Sequence, residues 1–155
     1  MADRAPILFP PPLALIGLVL AAWGLGRAVP LGILPAAPSV LRWIIGLPLI
    51  AIALVITFAA IGGFARARTP VNPYKAPQKI VSTGIYRYTR NPMYLGMVMI
   101  SAGLTLLVPL DWGLLTTPLL WAALHYGVIL REEPYLEDRF GAEYRALLAN
   151  TRRWI

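Results

Sequence analysis

The residues best suited to binding or catalysis lie in one short stretch, residues 82–96, where aromatic, basic and amide side chains are interleaved. Pro92 fits the first position of a helix, where a missing N–H costs no hydrogen bond. A helix that begins there would offer free N–H groups to an anionic group, with Arg90 and Asn91 beside them. Three tyrosines add aromatic surface for a flat base or a cation, namely Tyr86, Tyr88 and Tyr94. Each tyrosine taken alone is more typical of an aromatic belt at a membrane boundary, but the whole cluster is not.

A pair of adjacent carboxylates, Glu132 and Glu133, follows directly on an apolar run. We expect the pair at the end of a helix, where the dipole favours cations and two carboxylates are destabilising. A cation should therefore offset them, either Arg90 or an ammonium group on a ligand. The single histidine, His125, lies on roughly the same helical face as Glu132. We interpret His125 as a packing or hydrogen-bonding residue within the helical bundle, and the glutamate pair alone would be typical of a solvated helix end.

The overall composition limits what can position these side chains. Of the 155 residues, 58% are hydrophobic and 14% are charged, whereas a soluble domain carries about 25% charged residues. The mean hydropathy is +0.66, so a soluble fold of this size could not bury the apolar surface, and a disordered chain would be more polar. With no cysteine and one histidine, disulfides, cysteine nucleophiles and Cys- or His-rich metal sites are excluded. The sequence predicts one integral membrane domain over residues 1–155.

Four apolar runs approach the ~20 residues that cross a bilayer as a helix, which predicts an all-α membrane fold. They cover about residues 13–29, 40–64, 93–108 and 112–130. We interpret the first run as a retained span, because Arg4 is the only basic residue before it and no clear small-residue cleavage site follows. The Pro-Leu-Asp sequence at residues 109–111 predicts a tight turn, so the last two spans form a hairpin. In the third span, Gly96 would let another helix or a ligand approach closely.

The net charge of +7 is distributed unevenly along the chain. Four spans place both termini and the middle loop on one side of the membrane, and twelve of the fourteen basic residues lie there. Arg27 and Arg42 are the two basic residues on the other side. By the positive-inside rule, the termini and the middle loop are cytoplasmic. We therefore attribute the charge to topology and to contact with the lipid bilayer, and we expect no nucleic-acid partner.

Two polar segments complete the cytoplasmic side, residues 66–91 and 131–155. The first contains Pro70, Pro73 and Pro77, so it cannot be one continuous helix. In the second, four acidic residues come early (Glu132, Glu133, Glu137, Asp138) and three basic residues come late (Arg145, Arg152, Arg153). With apolar residues at helical spacing, this order predicts an amphipathic helix that Gly141 interrupts or caps. Because the hairpin brings the start of the third span beside the end of the fourth, the tyrosine–arginine–asparagine cluster and the glutamate pair should meet in one pocket at a membrane edge.

The motifs of the C-terminal half resemble those of the isoprenylcysteine carboxyl methyltransferase and phospholipid methyltransferase group. The matching segments are Thr83-Gly84-Ile85-Tyr86, Arg90-Asn91-Pro92-Met93-Tyr94-Leu95-Gly96, Glu132-Glu133 and Phe140-Gly141-Ala142-Glu143-Tyr144. The motif-bearing part covers about residues 66–155. The resemblance implies an integral membrane methyltransferase that uses S-adenosyl-L-methionine without a Rossmann domain, and we expect it in a bacterial inner membrane with both termini cytoplasmic.

The same resemblance implies a set of site residues. Carried over onto this chain, the cofactor pocket would be lined by Gln78, Ile80, Val81, Tyr86, Asn91, Pro92, Met93 and Tyr94. Glu132 or Glu133 would pair with a cationic group, either the cofactor ammonium or part of the acceptor site. Arg90 and Glu132 are the expected catalytic residues. Methyl transfer from a sulfonium is a direct displacement, which needs alignment more than acid–base chemistry.

Two departures from the group's pattern bear on the methyl acceptor. Asn91 stands where the prenylcysteine branch has a histidine, which makes this segment closer to the phospholipid-methylating members. Tyr126, Gly127 and Val128 stand where that branch has basic residues suited to a carboxylate. The expected partner is therefore a membrane lipid or other amphiphilic small molecule that accepts the methyl group on an amine, a hydroxyl or a thiol.

Two rival functions are consistent with the same features. A membrane reductase that uses a nicotinamide cofactor would share a similar C-terminal hairpin. A non-catalytic scaffold or small carrier is the other, although a carrier would place polar groups near mid-membrane, whereas here they gather at one edge. Binding of S-adenosylhomocysteine, of NADPH or of neither would distinguish the three.

Overall fold

The computed structural model describes residues 5–34, 40–72 and 75–155. Within these ranges the chain forms helices and connecting segments and contains no β-strand, which confirms the all-α prediction. The helices are α1 (Pro11–Ala28), α2 (Val40–Ala67), α3 (Pro92–Leu107), α4 (Gly113–Leu124), α5 (Leu130–Phe140) and α6 (Ala142–Asn150). A 3-10 turn, Gly84–Arg87, precedes α3, and a π-helical turn, His125–Ile129, joins α4 to α5. Arg4 and Pro73, used in the sequence-based predictions, lie outside the described residues.

Among the described residues, three helices are long and apolar enough to cross a membrane, namely α1, α2 and the continuous helix Gly113–Phe140 that contains α4 and α5. α3 is a shorter apolar helix of 16 residues. Large apolar side chains point outward along these helices, for example Val55 and Phe58 of α2, which are 68% and 67% exposed. So much exposed apolar surface is stable only against lipid. The protein is therefore an integral membrane protein, and each predicted apolar run forms a helix.

Proline and glycine mark where these helices begin and end. Pro11 and Pro92 occupy the first positions of α1 and α3, where the fixed φ of proline already suits a helix. Between α2 and α3, the 3-10 turn is the only helical element among the described residues. The prolines of this segment predicted that it would not form one continuous helix. Gly141 has a φ of 53°, which glycine adopts readily, and it separates α5 from α6. The prediction that Gly141 interrupts the C-terminal helix is confirmed.

The expectation that Glu132 and Glu133 end a helix is wrong. The helix that begins at Gly113 continues through the pair to Phe140, so the two carboxylates lie in the first turn of α5. The continuation passes through the π-helical turn, where the Leu130 N–H bonds back to the His125 carbonyl five residues earlier. The carboxylates are thus not opposed by a C-terminal dipole, and their surroundings are set by packing instead.

Contacts at the two ends of the bundle define the path of the chain. At one end, the Asp111 carboxylate accepts hydrogen bonds from the N–H groups of Gly32 and Leu34, each at 2.7 Å. At the other end, the N-terminal segment meets α4–α5 where the Leu8 N–H donates to the Gly127 carbonyl at 3.1 Å. The Arg90 N–H donates to the Arg152 carbonyl at 2.9 Å. The segments before α1, between α2 and α3, and after α6 therefore lie at the same end, as four spans require.

The closest helix packing joins α2 to α3 through small residues. A Cβ added at Gly96 would lie 3.1 Å from the Ala53 carbonyl and would overlap the Thr57 hydroxyl. A Cβ added at Gly103 would lie 3.0 Å from the Gly46 carbonyl. Small residues let helix backbones approach within a membrane. The predicted role of Gly96 in close approach is confirmed, and the approaching element is α2.

We predict that Gly96→Ala destabilises the protein by about 1–3 kcal/mol, because the added methyl group overpacks a site bounded by backbone atoms. The matched control is Gly17→Ala, since nothing lies within 4 Å of the position its Cβ would take. Alanine also has the higher helix propensity, so Gly17→Ala should leave the melting temperature unchanged or raise it. Thermal unfolding in detergent measures both, and equal effects would contradict the packing argument.

A second prediction concerns the pH dependence of stability at Asp111. Backbone N–H donors, that of Leu34 above all, lower the pKa of Asp111 below its ordinary value of 3.8. A carboxyl with a lowered pKa in the folded state stabilises the protein above its unfolded pKa and loses that stabilisation as the pH falls through the folded pKa. Asp111→Asn should therefore lower the melting temperature at pH 7. The difference from wild type should shrink at pH values below about 4, and a constant difference would contradict this.

Candidate functional site

A cavity of about 140 Å³ lies where the end of α2, the segment after it, the start of α3 and the helix α5 meet. Seven of the predicted site residues line it, namely Tyr86, Arg90, Asn91, Pro92, Met93, Tyr94 and Glu132. We call it the first cavity. Its other walls come from Ala5, Phe64, Pro70, Val71, Asn72, Lys75, Pro77, Tyr135 and Leu136. The predicted meeting of the residue 82–96 cluster with the glutamate pair is therefore present in the structure.

A second cavity, of about 100 Å³, lies beside the first and extends towards α6. Four predicted site residues line both cavities, namely Tyr86, Arg90, Asn91 and Glu132. Ile80, Val81 and Glu133 line the second cavity and not the first. The predicted residue Gln78 lines neither of the two; its side chain is exposed, and its backbone N–H donates to the Thr69 hydroxyl at 2.9 Å. The shared wall makes the two cavities neighbouring parts of one site.

The Glu133 carboxylate is the anionic centre of a cluster that ties α5 to two other parts of the chain. Arg153 donates to it twice, from Nε at 2.9 Å and from Nη2 at 2.7 Å. Arg90 Nη2 lies 3.4 Å from the same carboxylate. The Arg90 and Glu133 side chains are only 10% and 16% exposed, so the charges are screened little by water. The predicted pairing of the glutamate pair with Arg90 is confirmed for Glu133.

The C-terminal segment, residues 151–155, packs against the start of α3. Asn91 Nδ2 donates to the Arg153 carbonyl at 3.0 Å, next to the backbone bond between Arg90 and Arg152. Arg90 Nη1 donates to the carbonyls of Leu148, at 3.3 Å, and of Thr151. The guanidinium of Arg90 and the amide nitrogen of Asn91 are therefore engaged in holding the C-terminal segment.

His125 and two tryptophans anchor the end of the same segment. Trp154 Nε1 donates to His125 Nδ1 at 3.3 Å. The His125 ring also stacks on Trp121, with centroids 5.2 Å apart and planes 4° from parallel. A tryptophan N–H can only donate, so this bond requires an unprotonated His125 Nδ1. His125 thus has the packing and hydrogen-bonding role that the sequence indicated.

Glu132 has different surroundings from its neighbour. Its two carboxylate oxygens each lie 3.0 Å from the Tyr94 hydroxyl, which donates to them. Among the described residues it forms no ion pair, whereas Glu133 forms two. Glu132 also lines both cavities. A half-buried carboxylate at a cavity wall without a cationic partner is suited to binding a positively charged group.

Tyr86 is almost fully buried at the shared wall, and its ring meets Phe64 edge-on at a centroid distance of 5.6 Å. Burial, and to a smaller extent the negative charge of Glu132, raises the pKa of Tyr86 far above its ordinary value of 10.0. The phenol therefore stays protonated at neutral pH and can donate a hydrogen bond. Its hydroxyl has no partner in the described part of the chain. Tyr88, by contrast, is 73% exposed and lines neither cavity.

Sequence reasoning missed two residues that the structure brings to this site. Arg153 is one of the basic residues near the C-terminus, and only the fold shows that it lies 2.7 Å from Glu133, which is 20 positions earlier in the sequence. Tyr135 lines the first cavity with a buried hydroxyl. Its position immediately after Pro134 and the glutamate pair was the available signal, since helical geometry keeps residues 132 and 135 on one face.

We predict that Glu133→Gln lowers the free energy of unfolding by about 1.5–3 kcal/mol, the range for a hydrogen bond to a charged group. Loss of the ion pairs should also loosen the C-terminal segment and increase hydrogen exchange at the amides of residues 152–154. The matched control is Glu137→Gln, because the Glu137–Arg145 pair is exposed, at 44% and 61%, and exposed pairs contribute about 0–1 kcal/mol. Equal effects of the two substitutions would contradict the clamping role of Glu133.

Comparison with known proteins adds one finding. The family model described as phospholipid methyltransferase matches residues 41–143, which is more than half of the chain. The match runs from the first turn of α2 to the first turn of α6, so it includes most of the residues that line the two cavities. No curated protein and no protein of solved structure gives a significant match. The chain belongs to the phospholipid methyltransferase family.

Proposed function

We propose that this membrane protein transfers a methyl group from S-adenosyl-L-methionine to a lipid-like acceptor at the cytoplasmic edge of the bilayer. Membership of the family implies a methyltransferase. The observation that carries the finer proposal is the position of Glu132. Its carboxylate has no ion-pair partner among the described residues and lies on the wall shared by two neighbouring cavities. A transfer reaction needs two ligands side by side, and the shared wall is where they would meet.

The residues around the cavities fit the chemical groups of this cofactor. S-adenosyl-L-methionine supplies a methyl group on a positively charged sulfonium, together with an ammonium, a carboxylate and an adenine. Glu132 offers a negative charge for a cationic group. The rings of Tyr86 and Tyr94 offer aromatic surface for a cation or a base. Pro92 and Met93 bring the first turn of α3 to the first cavity, with N–H groups that have no acceptor within the helix.

The proposed division of labour separates the two glutamates. Glu132, supported by the Tyr94 hydroxyl, contacts the ligand. Glu133 is already neutralised by Arg90 and Arg153, so it acts with them as a positioning residue. Asn91 has its amide nitrogen on the C-terminal segment, and we assign it to holding the start of α3 against the cavities. No covalent nucleophile is required, because the reaction depends on alignment of the two ligands.

The acceptor would enter from the bilayer and the cofactor from the cytoplasm. A helix of 16 residues rises about 24 Å, less than the ~30 Å hydrocarbon core, so the short α3 leaves the first cavity close to lipid depth. Twelve of the fourteen basic residues lie on the side of the membrane that carries the site. By the positive-inside rule, this distribution favours a cytoplasmic location for that side. We propose a single domain in a bacterial inner membrane, with both termini cytoplasmic.

The proposed methyl-accepting group is an amine, a hydroxyl or a thiol. A carboxylate acceptor would need a basic partner near the π-helical turn. Gly127 and Val128 are buried there and Tyr126 is 62% exposed, so no cation comes from these three positions. This short stretch therefore offers no positive charge to complement a carboxylate acceptor.

The experiment is calorimetric titration of the purified protein with S-adenosylhomocysteine, with NADPH as the comparison ligand. We expect binding of S-adenosylhomocysteine and none of NADPH. Glu132→Gln should weaken binding and turnover by about 10-fold or more, because it removes a charge-assisted contact. Asn91→Ala should reduce turnover through misalignment of α3.

Glu137→Gln is the matched control, because it removes a carboxylate of α5 that lines neither cavity. Its cofactor affinity and turnover should equal those of wild type. If Glu132→Gln and Asn91→Ala both retain wild-type affinity and turnover, the assignment of the site is wrong. If wild type binds NADPH and not S-adenosylhomocysteine, the assignment of the reaction is wrong.

A further inference from the structure

Two tyrosines that line the first cavity have hydroxyls that are buried without a hydrogen-bond partner in the described part of the chain. They are Tyr86 and Tyr135. Tyr86 comes from the 3-10 turn before α3, and Tyr135 comes from α5. Two different elements that line this cavity therefore each carry an unsatisfied hydroxyl.

A buried hydroxyl without a partner destabilises the folded protein. Such a group has lost its hydrogen bonds to water without gaining one in the protein, and most buried polar groups in native proteins are paired. Tyr94, the third tyrosine at this cavity, shows the ordinary outcome, since its hydroxyl donates to Glu132. The two unpaired hydroxyls are therefore explained if a bound molecule supplies their partners.

We propose that Tyr135 is a specificity-determining residue whose hydroxyl donates a hydrogen bond to an oxygen or nitrogen acceptor of the ligand in the first cavity. This inference rests on the proposed function, because it concerns one of the two ligands of that reaction. The group that Tyr135 recognises is a hydrogen-bond acceptor. It belongs either to the head group of the lipid-like molecule or to the cofactor.

The positions of the two tyrosines make these sources distinguishable. Tyr86 lines both cavities, so its hydroxyl can serve a ligand in either one. Tyr135 lines the first cavity and does not line the second. A change confined to Tyr135 should therefore affect one ligand only, whichever of the two occupies the first cavity.

Removing the hydroxyl should have opposite effects on the empty protein and on the complex. Tyr135→Phe keeps the ring and deletes only the oxygen. In the protein without ligand, the substitution removes an unsatisfied polar atom, so the melting temperature should be unchanged or higher. In the complex, it removes a hydrogen bond and leaves the ligand acceptor buried without a donor. A purely structural role for the hydroxyl would instead lower the melting temperature and leave binding unchanged.

The test compares wild type, Tyr135→Phe, Tyr86→Phe and the control Tyr88→Phe. The Tyr88 ring is exposed and lines neither cavity. Each protein is melted without ligand and titrated with S-adenosylhomocysteine. Each is also assayed for transfer of labelled methyl groups to vesicles made from total lipids of the expression host. We expect Tyr135→Phe to weaken the binding of one of the two ligands by about 2- to 10-fold, the range of one net hydrogen bond. Tyr88→Phe should behave as wild type.

The outcomes separate this inference from the proposed function. A weaker affinity for S-adenosylhomocysteine supports the inference with the cofactor in the first cavity. An unchanged affinity with a higher apparent KM for vesicle lipid supports it with the acceptor there. If Tyr135→Phe changes neither value, or only lowers the melting temperature, the inference is wrong while the proposed function stands. If wild type does not bind S-adenosylhomocysteine, the proposed function fails and the inference fails with it.

Discussion

The site depends on the burial of one negative charge between two positive ones, the Glu133 carboxylate between Arg90 and Arg153. A carboxylate that is mostly buried must be paired, because desolvation of an unpaired charge costs several kcal/mol. Its partners come from the segment before α3 and from the C-terminus, so the pairing joins three parts of the chain that are distant in sequence. The carbonyls of residues 148 and 151 then satisfy further donors of Arg90. The same contacts therefore neutralise the buried charge, satisfy hydrogen-bond donors of Arg90 and fix the position of α3.

The same constraint explains why two adjacent glutamates differ so much. Successive residues on a helix point about 100° apart, so the two side chains cannot occupy the same environment. Glu133 points to the arginines, while Glu132 points to Tyr94 and the cavities. Because both arginines pair with Glu133, Glu132 has no ion-pair partner among the described residues, and its carboxyl group lies at the wall of both cavities. In the function that we propose, Glu132 contacts the ligand and Glu133 positions the elements around it.

The four apolar runs, the turn at residues 109–111 and the break at Gly141 were predictable, because each depends on local composition and spacing. The meeting of Arg90 with Glu133 was predictable as well, since a hairpin brings its ends together. The continuation of the helix to Phe140 was not, because a π-helical turn leaves no clear sequence signal. The role of Arg153 was also hidden, since Asn91 and Arg153 are 62 positions apart and only tertiary packing brings them together.

Rigidity in this protein is placed where alignment needs it. Gly96 lies one turn after Pro92, so the close contact of α3 with α2 also fixes the first turn of α3 at the cavity. On the other side, the ion pairs of Glu133 hold α5 and the C-terminal segment against that turn. The two walls that carry Tyr94 and Glu132 are thereby positioned by different forces, close packing within the membrane and charge pairing at its edge. Direct displacement gains most from such fixed geometry, because small misplacements of the reacting groups cost large factors in rate.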